Sequence, residues 1–188
     1  MNTVSLTALD PGPGAIDQRK LSDPLETSDV AITHYRIPPD SGLPGGVHAH
    51  MDQAELFVVL TGTARFETLD GPITVGAGEV IRFAPGAFHS GRNAGTEDLV
   101  VLAVGAPRET ADVRLPFACP ACDHSNLRIA TNDELTLVCP DCSHTQTPKT
   151  TCPECDHGEL RATLTPEARP IVTCPNCDIT FDTPPRKK

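Results

Sequence analysis

From Val30 onward, short runs of β-branched and aromatic residues alternate with Gly, Pro and Asp. Val30 to Ile37, Ala54 to Leu69, Ile73 to Val75, Val80 to Phe83 and Leu99 to Val104 read as strands, since such side chains suit a pleated, half-buried surface. No window repeats its apolar residues at helical spacing. Asp70-Gly71 is a hairpin signal, because both residues tolerate the positive φ of a tight turn, and Gly76-Ala77-Gly78 marks another. Strand parity puts Glu55, Phe57 and Val59 on one side and Leu56, Val58 and Leu60 on the other. If Glu55 points inward, the outward face is itself apolar and needs cover from N-terminal strands or a second subunit. The expected assembly is a homodimer.

The pattern divides the chain. Residues 1–28 are polar, with Pro11, Pro13 and Pro24, and read as an irregular N-terminal arm. Residues 29–107 form the strand-rich unit, whose short strands point to an all-β sandwich or barrel, and 108–116 form a charged linker between Pro107 and Pro116. Beyond it the chain repeats itself. Cys119-Pro-Ala-Cys122-Asp123-His124 returns 33 residues later as Cys152-Pro-Glu-Cys155-Asp156-His157, giving two small units at 117–145 and 150–183.

Composition sharpens the picture. All 8 cysteines lie in the second half, and 10 of the 19 prolines lie at or after Pro116, which excludes long helices there. The net charge of −10 splits into −7 for residues 1–116 and −3 for the remainder, so neither half is a basic module and nucleic acid is not an expected partner. The longest aliphatic run, Leu99 to Val104, is far short of a membrane span, and residues 1–14 show no signal-peptide pattern. The expected compartment is the cytoplasm, where cysteines stay reduced.

His48 and His50 stand two apart on one side of an extended segment, Glu55 follows, and His89 arrives from a later strand. Three imidazoles and a carboxylate suit a divalent transition metal, with Fe, Mn, Ni, Zn and Cu all compatible. The framing is specific: Gly42-x5-His48-x-His50-x4-Glu55-x6-Gly62 resembles the first cupin motif at every position. Gly78, Gly86, His89 and Asn93 resemble the second, with the proline one residue late at Pro85. The resemblance covers about residues 28–107 and implies a jelly-roll β-barrel holding one metal. Around that site, Phe83 and Phe88 are candidate rim or core residues, and either His34 or Tyr35 looks into the barrel. Arg82 and Arg92 are candidates for a substrate carboxylate.

Cys119, Cys122, Cys139 and Cys142 have the spacing of one four-thiolate zinc site, and Cys152, Cys155, Cys174 and Cys177 that of a second. Redox cycling or rubredoxin-like iron are the competing chemistries. The segments resemble zinc ribbons, except that the glycine usual after the second cysteine of each knuckle is Asp123, Ser143, Asp156 or Asp178. His124 and His157 occupy matching positions, with knuckle support favoured over ligation. His144 and the tail Arg186-Lys187-Lys188 read as surface. Ribbons of this size need metal to fold.

The expectation is an all-β protein, a cupin barrel followed by two zinc ribbons, carrying one barrel metal and two zincs. Cupins include dioxygenases, isomerases, decarboxylases and non-catalytic binders, so a metal-dependent small-molecule enzyme stands beside a sensor or adaptor whose ribbons dock a protein partner.

Overall fold

The computed structural model describes every residue except 13, 15, 132, 133 and 188, so Pro13 of the arm and Lys188 of the tail lie outside the described residues. The first half is built from β1 (Asp17–Lys20), β2 (Ala31–Ile37), β3 (Ala49–His50), β4 (Ala54–Thr61), β5 (Thr63–Thr68), β6 (Ile73–Gly76), β7 (Val80–Phe83), β8 (His89–Asn93) and β9 (Leu99–Ala106). A one-turn helix, α1 (Ser22–Leu25), joins β1 to β2. The second half comprises β10 (Val113–Leu115), β11 (Leu127–Thr131), β12 (Leu135–Val138), β13 (Thr145–Gln146), β14 (Arg161–Leu164), β15 (Pro170–Thr173) and β16 (Thr180–Phe181). No helix among the described residues is long and apolar enough to cross a membrane.

The barrel is two facing sheets. One has the strand order β1-β2-β9-β4-β7, the other β6-β5-β8. Between them sit Ile37, Phe57, Val59, Phe66, Phe83, Leu99 and Val101, the inward-facing alternates that strand parity predicts. The crossing from β4 into β5 needs Gly62, whose φ is +83° and whose absent Cβ would stand 3.0 Å from the Asp98 carbonyl oxygen.

Three segments differ from expectation. The N-terminal arm contains β1, which pairs antiparallel with β2 from Asp17↔Arg36 to Lys20↔Thr33. Its residues are all polar, so no hydrophobic period announced it. The linker contains β10, which pairs with β11 on one side and with β3 on the other, making a sheet of order β13-β12-β11-β10-β3 that joins the first ribbon to the barrel. The basic tail is also engaged. The Lys187 N–H donates to the Thr147 carbonyl, and the Lys149 N–H donates to that of Pro185.

Each ribbon is a hairpin between two cysteine knuckles, β11–β12 in the first and β14–β15 in the second. The two share one core, in which Phe117, Leu127 and Leu137 meet Ala162 and Val172, and Val47 of the barrel joins them. Sharing a core answers the small apolar inventory of each unit.

Candidate metal centres

The first motif turns at Gly46 and reaches the barrel mouth as a short extended segment, residues 48–50, laid beside β8. His48 and His89 are paired backbone to backbone, with N–H···O distances of 3.1 and 2.9 Å, and the Gly86 N–H donates to the His50 carbonyl at 2.8 Å. The two halves of the ligand set are therefore fixed by main-chain bonds. Glu55 enters from the start of β4, where it pairs with Phe83 on one side and Gly105 on the other.

The side chains converge. Ligand atoms of His48, Glu55 and His89 all lie within 4.8 Å of one another. His50 joins them, its Nε2 standing 3.1 Å from that of His48 and 3.4 Å from Glu55 Oε2. Glu55 Oε2 is 3.0 Å from His89 Nε2, yet it is buried without a hydrogen bond of good geometry. Nδ1 of His48 meets the Gly46 carbonyl at 2.9 Å and Nδ1 of His89 meets that of Ala87 at 3.0 Å, which assigns the proton to Nδ1 and turns the Nε2 lone pairs inward. Phe83 stacks on the His89 ring, centroids 4.0 Å apart and planes within 2°. The group fits a cation: a buried carboxylate oxygen left without a donor faces the Nε2 lone pairs of His48 and His89, with His50 Nε2 beside them, an arrangement that a single divalent ion would satisfy.

The electrostatics agree. Burial lowers the His48 pKa, and the neighbouring His89 and His50 lower it further against the Gly46 carbonyl, so the ring is held neutral as a ligand must be. Burial raises the Glu55 carboxyl, but His89, His50 and His48 together outweigh it, and the net shift is downward.

The site lines a cavity of about 240 Å³ with Tyr35, Leu43, Phe57 and Ala103 among its walls. Tyr35 is thus the residue of its pair that faces inward; its hydroxyl accepts a hydrogen bond from Gln18 Nε2 on β1 at 3.2 Å, and burial together with Glu55 raises its pKa. His34 is buried away from the cavity, its Nδ1 without a hydrogen-bond partner among the described residues. Arg82 and Arg92 are exposed and do not line the cavity, so neither serves a ligand there. Phe88 packs against the ribbon core, and Phe83 serves as the support beneath His89. Asn93 of the second motif is structural: its amide donates to the Ile37 and Glu97 carbonyls and accepts from the Gly95 N–H. Gln18 escaped the sequence reading because β1 has no apolar residue to mark it.

The cysteines assemble as two groups, each with its four sulfurs within 4.8 Å. In the first, Sγ of Cys119 lies 3.7 Å from that of Cys142, and Cys122 lies 3.6 Å from Cys139. In the second, Cys152 to Cys177 is 3.9 Å and Cys155 to Cys174 is 3.6 Å. A tetrahedron with Zn–S bonds of about 2.3 Å has S···S edges of about 3.8 Å, so both groups have the dimensions of a thiolate cage. All eight cysteines are free. In each knuckle the first cysteine's N–H donates to a carbonyl five residues on, that of His124, His144, His157 or Ile179, so the histidines support the knuckles through their backbones. Burial raises the Cys139 thiol, but the N–H groups of Cys142 and Asp141 and the neighbouring thiols bring it down to about 6. Against the lowering effect of the His124 N–H, Cys142 and the other thiols push Cys122 up to about 12.

Comparison with known proteins places the barrel. Residues 33–105 match the Cupin domain family. Among solved structures, a sugar phosphate isomerase of the cupin superfamily from Silicibacter pomeroyi superposes with a TM-score of 0.57 at 18% identity, over 75% of this chain and 94% of that one. A putative sugar phosphate isomerase from Acidithiobacillus ferrooxidans gives 0.51 at 25% identity, over 65% and 75%. A predicted oxalate decarboxylase from Thermotoga maritima gives 0.50 at 23%, over 56% and 98%. No curated protein matches by sequence. Motifs, barrel and family match agree that residues 33–105 are a cupin domain.

Proposed function

We propose that the barrel is a metal-dependent enzyme site for a small, oxygen-chelating molecule, with one divalent transition metal held by His48, His50, Glu55 and His89, and that the ribbons hold two zincs on their eight cysteines. The observation that carries this reading is the buried Glu55 Oε2, left without a donor among three inward-facing imidazoles. Such a metal supplies Lewis-acid polarisation of a bound oxygen. The residues define the rest. A divalent ion and one carboxylate sum to +1, and among the described residues no Arg or Lys lines the cavity, so the arrangement suits a ligand of single negative charge. The cavity lies below the roughly 300–1,000 Å³ of drug-sized sites, which favours a compact ligand. Tyr35, its oxygen already accepting from Gln18, keeps its O–H free to donate to a ligand oxygen. Leu43, Phe57 and Ala103 exclude water from the remaining wall.

A second reading, a ligand sensor, is favoured by one observation. The ribbons pack directly on the ligand-bearing segment, so occupancy has a route to the ribbon surface. The outward face of the larger sheet leaves Leu60 and Val80 exposed, 50% and 56%, and we take a second copy of the chain as its cover.

The decisive experiment is a metal inventory beside activity. Wild-type protein is expected to hold two zincs plus one further divalent metal, and Glu55→Gln to retain the zincs while losing the third. Turnover of small hydroxy- or keto-acids that vanishes in Glu55→Gln and weakens in Tyr35→Phe supports the enzyme. Binding of the same compounds without turnover supports the sensor, and a wild-type barrel that takes up no divalent metal refutes both.

A further inference from the structure

The ribbons lie against the one segment that carries two of the barrel ligands. The chain turns at Gly46 and is extended over residues 48–50, where side chains alternate. His48 and His50 face the cavity, while Val47 and Ala49 face the other way and are 1% and 0% exposed. Val47 is buried in the ribbon core, against Phe117, Leu127, Leu137, Ala162 and Val172. The backbone edges divide in the same way. One edge is bonded to the barrel through His89 and Gly86. On the other, the Val47 N–H donates to the Ala162 carbonyl of ribbon 2 at 2.8 Å, the Met51 N–H donates to that of Asp112, and β3 pairs with β10 in the register His50↔Val113 and Ala49↔Arg114. Without the ribbons this would be an unpaired edge with an exposed valine.

Gly46 is the tightest point. Its φ is +66°, and a Cβ there would stand 2.5 Å from the Ala162 carbonyl oxygen. The same glycine's carbonyl holds Nδ1 of His48. One residue thus touches ribbon 2 on one side and orients a metal ligand on the other.

We propose that the ribbons brace the barrel metal site, with Gly46 and Val47 as positioning residues, so that zinc in ribbon 2 and metal in the barrel strengthen each other's binding. The inference rests on the metal reading given above. Ala162 and Val172 lie on the hairpin between the knuckles of ribbon 2, so what orders that ribbon orders the seat of Val47. Coupling between two binding equilibria is reciprocal.

The test is the affinity for Mn²⁺, measured in zinc-loaded protein from the electron paramagnetic resonance signal of the free ion. His48→Ala serves as the control for the barrel site. Gly46→Ala, which keeps every ligand, and Cys174→Ser, which breaks the second cage, are each expected to weaken Mn²⁺ binding tenfold or more. Because both act through ribbon 2, the double variant is expected to be little weaker than either single one. Independent, multiplying effects would mean that Gly46→Ala disturbs His48 only locally, and would overturn the brace; so would affinities within twofold of wild type. The converse measurement needs no cysteine variant: Mn²⁺ is expected to slow zinc release from wild-type protein to a chromogenic chelator at least threefold, and not in His48→Ala. Equal rates with and without Mn²⁺ overturn the coupling. If wild type and His48→Ala bind Mn²⁺ alike, the barrel-metal reading fails and takes this proposal with it.

Discussion

Asp123, Ser143, Asp156 and Asp178 have φ values of +58°, +59°, +55° and +57°, each closing its knuckle with an N–H donated to the first cysteine's carbonyl. The turn takes the left-handed conformation that a ribbon usually gives to glycine, although none of the four is glycine. Asp visits this region more readily than most residues, and Ser less so. Ser143→Gly is therefore expected to raise the stability of the zinc-loaded protein by up to about 1 kcal/mol, the strain relieved less the glycine entropy cost, while Ser143→Val lowers it. Thermal unfolding at fixed zinc reads both. At the barrel, Phe83 is a core residue and the stacked support of His89, so Phe83→Ala is expected to cost about 3–5 kcal/mol in stability. It should also weaken barrel metal binding with little effect on zinc content, which separates it from general unfolding.

β2, β6, β7 and β9 were legible as elements, and β4 and β5 as a single run that Gly62 divides, because β-branched and aromatic residues fill them, with Phe57 and Val59 of β4 inside. The convergence of His48, His50, Glu55 and His89 was legible because the motif spacing carries it. β1, β3 and β10 were not, for a physical reason: their residues are polar or too few to show a period, and each is a strand only because a distant partner completes its hydrogen bonds. At β10, Asp112 bonds Arg114 through both carboxylate oxygens, and this pairing holds the Asp112 carboxyl below its ordinary 3.8. A carboxyl whose folded pKa is depressed contributes stability above its unfolded pKa and loses it as pH falls through the folded value. Acidification below about pH 4 is thus expected to loosen the β3–β10 junction, with Asp112→Asn less acid-sensitive there. Hydrogen exchange at the Met51 and Arg114 amides as pH is lowered measures this directly.

On the scale of the whole molecule, the exposed Leu60 and Val80 make the outer sheet face the expected dimer contact. Leu60→Lys combined with Val80→Lys is expected to convert a dimer to a monomer in light scattering while leaving all metals bound; an unchanged mass would move the interface elsewhere. Sequence duplication revealed two ribbons, but their shared core and its use of Val47 were hidden, since a lone valine between glycine and histidine has no pattern to betray which core it enters.

That borrowed valine also sets an order of events during synthesis. Val47 leaves the ribosome some 115 residues ahead of Ala162, its backbone partner. At roughly 5–20 residues per second, the nascent barrel waits about 6–23 s with its ligand segment lacking one edge. The hydrophobic sheets can close in that interval, but on this proposal the metal seat matures only once β14 has emerged. A truncated chain ending before β14 would then be a folded barrel that captures metal poorly, which makes the ribbons a checkpoint on premature loading.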